Sequence, residues 1–160
     1  MTTMRVSARQ DIRASLEQVY LAMTDFERHE GDIQSHGADL TRLHPDRPLV
    51  PGNGWHATFD FRGKTRKVKA LLSELRPNEA LHMEFEATSV TGTLEVDLSE
   101  HEAGSRMVVA LEVRPVTIKG RLLVQSMKLA KGEILERLQR RLASFAVDVE
   151  SDGREIRSTS

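Results

Sequence analysis

The sequence predicts an α+β domain, in which a curved antiparallel β-sheet wraps around a long C-terminal helix and two short helices follow the first strand. Apolar residues alternate with polar ones from Ala38 to Pro115, and turn-forming groups interrupt the alternation, which indicates an antiparallel meander. From Ile118 to Val149 the apolar spacing becomes helical. The predicted hairpins agree on one apolar face, which the terminal helix can cover.

Length and composition limit the functions that the chain can have. We expect one domain over 1–150 and a disordered tail over 151–160, where apolar side chains are scarce. The 23 basic and 24 acidic residues balance, which argues against a general attraction to nucleic acid. The chain has no cysteine, no apolar leader at its start and no apolar run of roughly 18 residues. We therefore expect a soluble cytoplasmic protein without stable membrane insertion.

The N-terminal part predicts one strand and two helices. Met4, Val6 and Ala8 alternate with polar residues, as in a strand. Ser15 and Gln18 have the spacing of a capping box, so a helix is expected to begin there. A second short helix is predicted from Asp25 through about residue 30.

The turns predict which strand residues share a face. A four-residue "RPNE" loop pairs Leu75 with Ala80 and Leu72 with Met83, and an "RGKT" loop pairs Phe59 with Val68. The next turn pairs Phe85 with Leu94, and the 100–105 loop pairs Leu94 with Leu111. All four hairpins place one apolar set inward: Trp55, Ala57, Phe59, Phe61, Val68, Ala70, Leu72, Leu81, Met83, Phe85, Leu94, Val96, Leu98, Met107, Val109, Leu111 and Val113.

One long amphipathic helix is predicted from Ile118 to Val149. Leu123, Met127, Ile134 and further apolar residues lie on one broad face. Gly132 interrupts this pattern at a cost of about 1 kcal/mol relative to alanine.

Three stretches carry a resemblance to a known family: "DIRASLEQVYLAMTDFERHE", "LLSELRPNEALHMEF" and "LVQSMKLAKGEILERLQRRL". In this order they are similar to the strand-to-helix opening, the central hairpin and the last helix of the START-like (SRPBCC) superfamily, which includes the polyketide cyclase/dehydrase group and lipid-transport proteins. The resemblance implies a helix-grip fold with a cavity between the sheet and the long helix. Relatives use that cavity for lipids, quinones, polyketides or hormones, and some act as enzymes or through protein partners.

The inward aromatic residues have two interpretations, because cores and apolar pockets use the same side chains. They either fill the core alone or also form a pocket wall. In a pocket, the buried indole N–H of Trp55 would need a partner, which water or a ligand at the cavity mouth could supply. The candidate ligand-binding residues are Trp55, Ala57, Phe59, Arg66, Ala70, Met83, Phe85, Leu94, Val109, Leu111, Leu123 and Met127.

Two charged residues of the fourth strand, Arg66 and Glu74, are predicted to point inward. In the predicted pairing, Leu81 lies opposite Glu74 and keeps its surroundings apolar. Glu74 is therefore a weak candidate for a general base or an acceptor for a ligand hydroxyl, and Arg66 for an anchor of a ligand carboxylate. The alternative for both is a side chain at a strand end that reaches solvent.

Other polar clusters predict no cofactor. The spacings of His29, His36 and His44 match no compact metal motif, so we expect no metal. His56 and His82 are expected on the solvent face of the sheet, beside carboxylates. The basic run "RGKTRKVK" reads as a solvated hairpin, because Lys69 is predicted opposite Glu86.

Three functions fit these features. The first is binding or transport of a hydrophobic small molecule, of lipid, quinone or polyketide-like kind, between the sheet and the C-terminal helix. The second is a cyclase or hydratase that uses the same cavity, and the third is a protein-interaction module whose cavity is filled by side chains. Whether the protein is an enzyme, and whether it forms a homodimer, stays open at this stage.

Overall fold

The computed structural model describes residues 2–61 and 63–159, and its element order matches the sequence prediction. Four helices and seven strands follow one another as β1 (Met4–Ile12), α1 (Leu16–Met23), α2 (Phe26–Ser35), β2 (Asp39–Arg42), β3 (Gly54–Phe61), β4 (Lys64–Arg76), β5 (Ala80–Glu86), β6 (Val90–His101), β7 (Gly104–Pro115), α3 (Ile118–Leu129) and α4 (Lys131–Thr159).

The strands form one antiparallel sheet in the order β1-β7-β6-β5-β4-β3-β2. Its register confirms the predicted inward face, since cross-strand rows join members of the inward set. One such row runs Leu81, Val96, Val109. The C-terminal helix α4 packs against β1, and α3 packs against β7 and β1. The α+β helix-grip architecture is therefore confirmed.

Two predicted pairings are shifted by two residues, which leaves the faces unchanged. Phe59 pairs with Arg66 instead of Val68, because only two residues separate the paired ends Phe61 and Lys64 of that hairpin. Phe85 pairs with Gly92 instead of Leu94. Arg62, the first residue of the predicted "RGKT" turn and of the basic run, lies outside the described residues.

A β-bulge in β4 contradicts the predicted orientation of Glu74. The β4–β5 loop contains three residues instead of four, so Leu75 pairs with Leu81 and Glu74 with His82. The register shift between Leu72 and Glu74 then restores the predicted Leu72–Met83 pair, with Ser73 as the additional residue. Glu74 therefore shares the solvent face with His82.

The helices α1 and α2 begin where the sequence predicts. Ser15 accepts a hydrogen bond from the backbone N–H of Gln18, whose side chain in turn accepts one from the Ser15 N–H, so the predicted capping box is confirmed. Helix α2 begins after Asp25, as predicted, but extends five residues further, to Ser35.

The predicted C-terminal helix is two helices. It is interrupted at Ala130, whose N–H is shared among the carbonyls of Ser126, Met127 and Lys128. Helix α4 then continues through 151–159, where we expected a disordered tail, and no proline after Pro115 removes a backbone donor along it. The domain boundary near residue 150 stays a prediction.

The buried apolar side chains of the described residues form two clusters. The main cluster joins α1, α4 and one end of the sheet, and includes Val19, Leu72, Val109 and Ala146. A second cluster joins Met4 and Val113 to α3 through Val124, which is fully buried. None of the helices described here is long and apolar enough to cross a membrane.

Candidate apolar-ligand site

The inner face of the sheet is packed at one end and partly exposed at the other. Toward the β4–β5 and β6–β7 turns it is buried under the main cluster, and we call this set the packed half: Ala70, Leu72, Leu81, Val96, Leu98, Met107 and Val109. Toward the β3–β4 hairpin and the β5–β6 turn Val113 is buried in the second cluster, but the other apolar side chains stay partly exposed. We call the following set of them the open half: Ala57, Phe59, Val68, Met83, Phe85, Leu94 and Leu111.

The open half is incompletely packed. Ala57, Phe59 and Val68 belong to neither of the apolar clusters that the described residues form. The cross-strand partners Leu94 and Leu111 pack against different clusters, so the boundary between the clusters runs through the open half. Met83 and Phe85 pack against the edge of the main cluster. The part of the open half that neither cluster covers is therefore formed by Ala57, Phe59 and Val68.

A notch at the edge of the open half connects it with solvent. Strand β4 pairs with β3 from Lys64 onward, but with β5 only from Lys69, so the β3–β4 hairpin projects beyond the β5–β6 turn. A groove of about 560 Å³ occupies this step. Both faces of the sheet contribute to its lining, as expected where β5 ends: His56, Ala57, Thr58, Lys67, Val68, Lys69, Glu86, Ala87 and Thr88.

The predicted ligand-binding residues separate into two groups. Trp55, Ala70 and Val109 are buried, with exposed fractions of 6%, 7% and 4%. The others are partly exposed, either on the sheet or on α3: Ala57, Phe59, Arg66, Met83, Phe85, Leu94, Leu111, Leu123 and Met127. The space around Ala70 is therefore filled, whereas Ala57 lines the notch.

Trp55 has an internal hydrogen-bond partner. Its indole N–H donates to Oε2 of Glu30 at 2.7 Å, and the ring lies edge-on to Phe26 with centroids 5.5 Å apart. Arg42 binds the same carboxylate through Nε at 2.8 Å and Nη2 at 2.7 Å. The expectation that water or ligand satisfies this indole is thus wrong. Trp55, Glu30 and Arg42 form an anchor that holds α2 on β2 and β3.

The stability that the anchor contributes should depend on pH. The Arg42 hydrogen bond, and after it that of Trp55, lower the pKa of Glu30 below 4.5, although burial opposes the change. Because the pKa is lower in the folded state, this stability is complete above about pH 4.5 and is lost as the pH falls through the folded-state value. Acid should therefore release α2 from the sheet.

We expect Glu30→Gln to lower the free energy of unfolding by about 1 to 2 kcal/mol at pH 7, because Arg42 loses its charged partner. The difference from wild type should shrink below about pH 4.5, as Glu30 itself becomes neutral. Urea denaturation followed by circular dichroism at several pH values measures both effects. Glu112→Gln, which removes more exposed pairs with Arg5 and Arg114, should cost less than about 1 kcal/mol at pH 7. A constant Glu30→Gln difference down to pH 3 would contradict this role.

Glu74 has no apolar surroundings. Its carboxylate binds Nε of Arg76 at 2.7 Å and Nδ1 of His82 at 3.1 Å, on the solvent face of the sheet. The structure therefore removes the argument that made it a candidate base. Arg66 does lie on the inner-face register, opposite Phe59, and its Nε donates to the carbonyl of Phe61 at 3.4 Å.

The remaining polar clusters have local explanations. His82 bridges Glu74 and Asp97 on the solvent face, as expected of a surface histidine beside carboxylates. Ligand atoms of His82, Glu95 and Asp97 lie within 4.8 Å of one another, but the bonds of His82 account for the arrangement and we assign it no metal. Lys69 pairs with Glu86 as predicted.

Sequence reasoning missed the Glu30–Arg42 pair and the notch. Glu30 was placed only at the end of a short helix, and nothing in the spacing between positions 30 and 42 signals a contact. The notch arises because β4, with 13 residues, is longer than its neighbour β5, with 7. A comparison of the predicted strand lengths could have revealed it.

The fold, with its inner face between sheet and helices, is the START-like helix-grip fold. No protein-family model matches the chain, and no curated protein matches its sequence. Solved structures do match over almost the whole chain, at sequence identities that establish the fold alone.

Three such structures illustrate this. A protein of unknown function from Staphylococcus aureus has a TM-score of 0.66 at 15% identity and covers 96% of both chains. The Zhui aromatase/cyclase from Streptomyces sp. R1128 has a TM-score of 0.64 at 11% identity, covering 92% of this chain and 94% of its own. Ara h 8.0201 has a TM-score of 0.57 at 11% identity, covering 89% and 99%.

Proposed function

We propose that the protein binds one hydrophobic small molecule, of lipid, quinone or polyketide-like kind, against the open half of the sheet. The observation that carries this proposal is the division of one apolar face into a packed half and a partly exposed half. Exposed apolar area costs about 25 cal/mol per Å², so a ligand that covers the open half gains that free energy.

The notch provides the entrance. Its volume of about 560 Å³ lies in the range of roughly 300 to 1,000 Å³ that is typical of small-molecule pockets. Ala57 and Val68 form part of its wall, and both belong to the open half. The remaining wall includes His56, Lys67 and Glu86, so a ligand that enters between the β3–β4 hairpin and the β5–β6 turn passes polar side chains before it reaches the open half.

Arg66 supplies a polar contact for the ligand. It is partly exposed, shares the inner-face register with Phe59 and lies near the tip of the β3–β4 hairpin. We propose that its guanidinium binds a carboxylate or carbonyl oxygen at the polar end of the ligand. The open half itself is apolar, which favours an elongated ligand with one polar end.

The open half favours binding over catalysis. An active site gathers several polar groups with shifted pKa values, and the described groups with such shifts lie elsewhere. The pKa of Asp11 is lowered by Arg106 at the sheet surface, and Glu30 belongs to the anchor. Burial raises the pKa of Tyr20, whose side chain packs against the main cluster. Binding and transport without chemistry is therefore our preferred function.

A displacement assay tests the proposal. Wild-type protein should bind one equivalent of a fluorescent fatty acid, and unlabelled fatty acids or quinones should displace it. Ala57→Phe should weaken this binding at least tenfold, because the new ring occupies the space beside the notch. Ala143→Phe, at an exposed position of α4, is the matched control and should bind like wild type.

Stability measurements show whether a variant that fails to bind is still folded. Both variants should unfold within about 1 kcal/mol of wild type, because Ala57 is partly exposed at the groove and Ala143 is exposed on α4. If Ala57→Phe folds normally and binds the probe as tightly as wild type, the open half is not the site. If wild type binds no fatty acid or quinone, the proposed function is wrong.

A further inference from the structure

Helix α3 exposes an apolar stripe on the side that faces away from the sheet. Ile118, Leu122 and Leu129 are 80%, 64% and 92% exposed. At 3.6 residues per turn these three positions fall within about 40° of one another. Val116, just before the helix, is also 56% exposed. We call these four residues the α3 stripe.

The opposite side of the same helix is fixed to the protein. Val124 is fully buried in the second cluster, and Gly120 lies so close to the β5–β6 turn that a Cβ there would overlap the carbonyl oxygen of Ser89. Thr117 caps the helix by accepting a hydrogen bond from the N–H of Gly120 at 3.0 Å. The α3 stripe is therefore not the inward face of a loosely attached helix but a second apolar face on a rigid one.

Positive charge surrounds the α3 stripe. Residues 117–129, the helix with its N-cap, contain three basic residues and no acidic one, although the chain as a whole has a net charge of −1. Glu112 and Glu133 lie outside this segment, and Glu112 pairs with Arg114 at 3.7 Å. On the helix, Lys119 lies on one side of the stripe, and Arg121 and Lys128 lie on the other. Lys131 follows at the start of α4. Long basic side chains beside an apolar stripe are typical of helices that lie in a membrane interface.

We propose that α3 docks the protein onto the surface of an anionic lipid bilayer. The α3 stripe would enter the boundary between headgroups and acyl chains, and the flanking lysines and arginines would bind lipid phosphates. Four apolar side chains give peripheral binding and do not insert the chain through the bilayer.

The charge pattern selects a membrane over a second copy of the chain. In a symmetric dimer through the α3 stripe, each helix would bring the basic flanks of one protomer against those of its partner, which costs free energy. A bilayer with anionic headgroups supplies the complementary charge over the whole length of the helix. The stripe is also a single row on one helix, which suits a planar interface.

Docking would hold the proposed ligand site near the membrane. Gly120 contacts Ser89, and Thr88, the residue before Ser89, lines the notch. An apolar ligand could then pass between the bilayer and the open half with little exposure to water. This link to ligand exchange rests on the proposed function, whereas the docking surface depends only on α3.

Vesicle cosedimentation tests the docking surface. Wild-type protein should bind vesicles in which a third of the lipid is phosphatidylglycerol, bind vesicles of phosphatidylcholine alone at least tenfold more weakly, and dissociate as the salt concentration rises. Leu122→Ser and Leu129→Ser should each weaken binding about tenfold, and Arg121→Gln about fivefold. The variants should keep the wild-type circular dichroism spectrum, because these side chains face solvent.

Two matched controls exclude a general effect of composition. Leu21→Ser removes a leucine of α1 that is 62% exposed, and Arg140→Gln removes an exposed arginine of α4. Neither should change vesicle binding more than twofold. Equal losses in the controls and in the α3 variants would overturn the proposal.

Two further results would also overturn it. One is the absence of binding to anionic vesicles at low salt. The other is a wild-type dimer in analytical ultracentrifugation that Leu122→Ser converts to monomer, since the α3 stripe would then be a contact between copies. Binding of the fluorescent fatty acid by Leu122→Ser in solution tests the ligand site separately, and should equal that of wild type even where vesicle binding is lost.

Discussion

Trp55→Ala is expected to lower the free energy of unfolding by about 3 to 5 kcal/mol, as large-to-small changes of buried aromatic residues do. The substitution removes the ring that packs on Phe26 and the donor that binds Glu30. Phe59→Ala, four residues along the same strand and on the same face, should cost less than about 1.5 kcal/mol, because Phe59 lies in the open half. Urea denaturation followed by far-ultraviolet circular dichroism measures both variants without relying on Trp55 fluorescence.

The two substitutions should differ in their effects on stability and on ligand binding. Phe59→Ala should weaken binding of the fluorescent fatty acid severalfold with little loss of stability, whereas well-folded Trp55→Ala protein should retain most of its affinity. Trp55→Phe separates the two parts of the anchor, since it keeps the ring contact and removes the N–H; we expect it to cost about 1 to 2 kcal/mol. Equal destabilisation by Phe59→Ala and Trp55→Ala would show that the open half is packed.

Gly120→Ala is expected to destabilise the protein by about 2 to 3 kcal/mol, because the new methyl group would overlap the Ser89 carbonyl oxygen. Helix α3 would have to move away from the β5–β6 turn. Gly132→Ala is the control, because apart from its chain neighbours and the backbone of its own helix nothing lies within 4 Å of the added Cβ. The better helix propensity of alanine should stabilise α4 by up to about 1 kcal/mol.

Thermal denaturation and vesicle binding together test this contact. Gly120→Ala should lower the Tm and also weaken vesicle binding, because the α3 stripe would no longer be held in place. Gly132→Ala should raise the Tm slightly and leave vesicle binding unchanged. A Gly120→Ala protein as stable as wild type would mean that α3 is not fixed to the β5–β6 turn.

The sheet could be predicted because its information is local and repeated. Side chains alternate along every strand, so an error of two residues in a turn, as at Phe59 and Phe85, changes partners but not faces. The N-cap at Ser15 was predictable for the same reason, since the hydrogen-bonding partners are three residues apart.

Contacts between distant segments left no such pattern. Glu30 meets Trp55 across 25 residues, and the sequence records only that each needs a polar partner. The break at Ala130 was also hidden, because the apolar spacing of α3 and α4 continues across it. The α3 stripe escaped notice because Ile118, Leu122 and Leu129 look like part of an apolar face that a core would cover. Only the burial of Val124 and Gly120 on the other side shows otherwise.

The bulge at Ser73 couples the length of a loop to the length of a strand. Compared with a four-residue loop, the three-residue loop after Arg76 reverses the face on which each side chain of β4 lies. The additional residue Ser73 restores the original faces for the part of β4 that precedes it. Deleting Ser73 alone would turn Leu72 toward solvent. Deleting one loop residue alone would turn Glu74 toward the core. Insertions and deletions in this hairpin should therefore be tolerated only in compensating pairs, one at the turn and one near position 73.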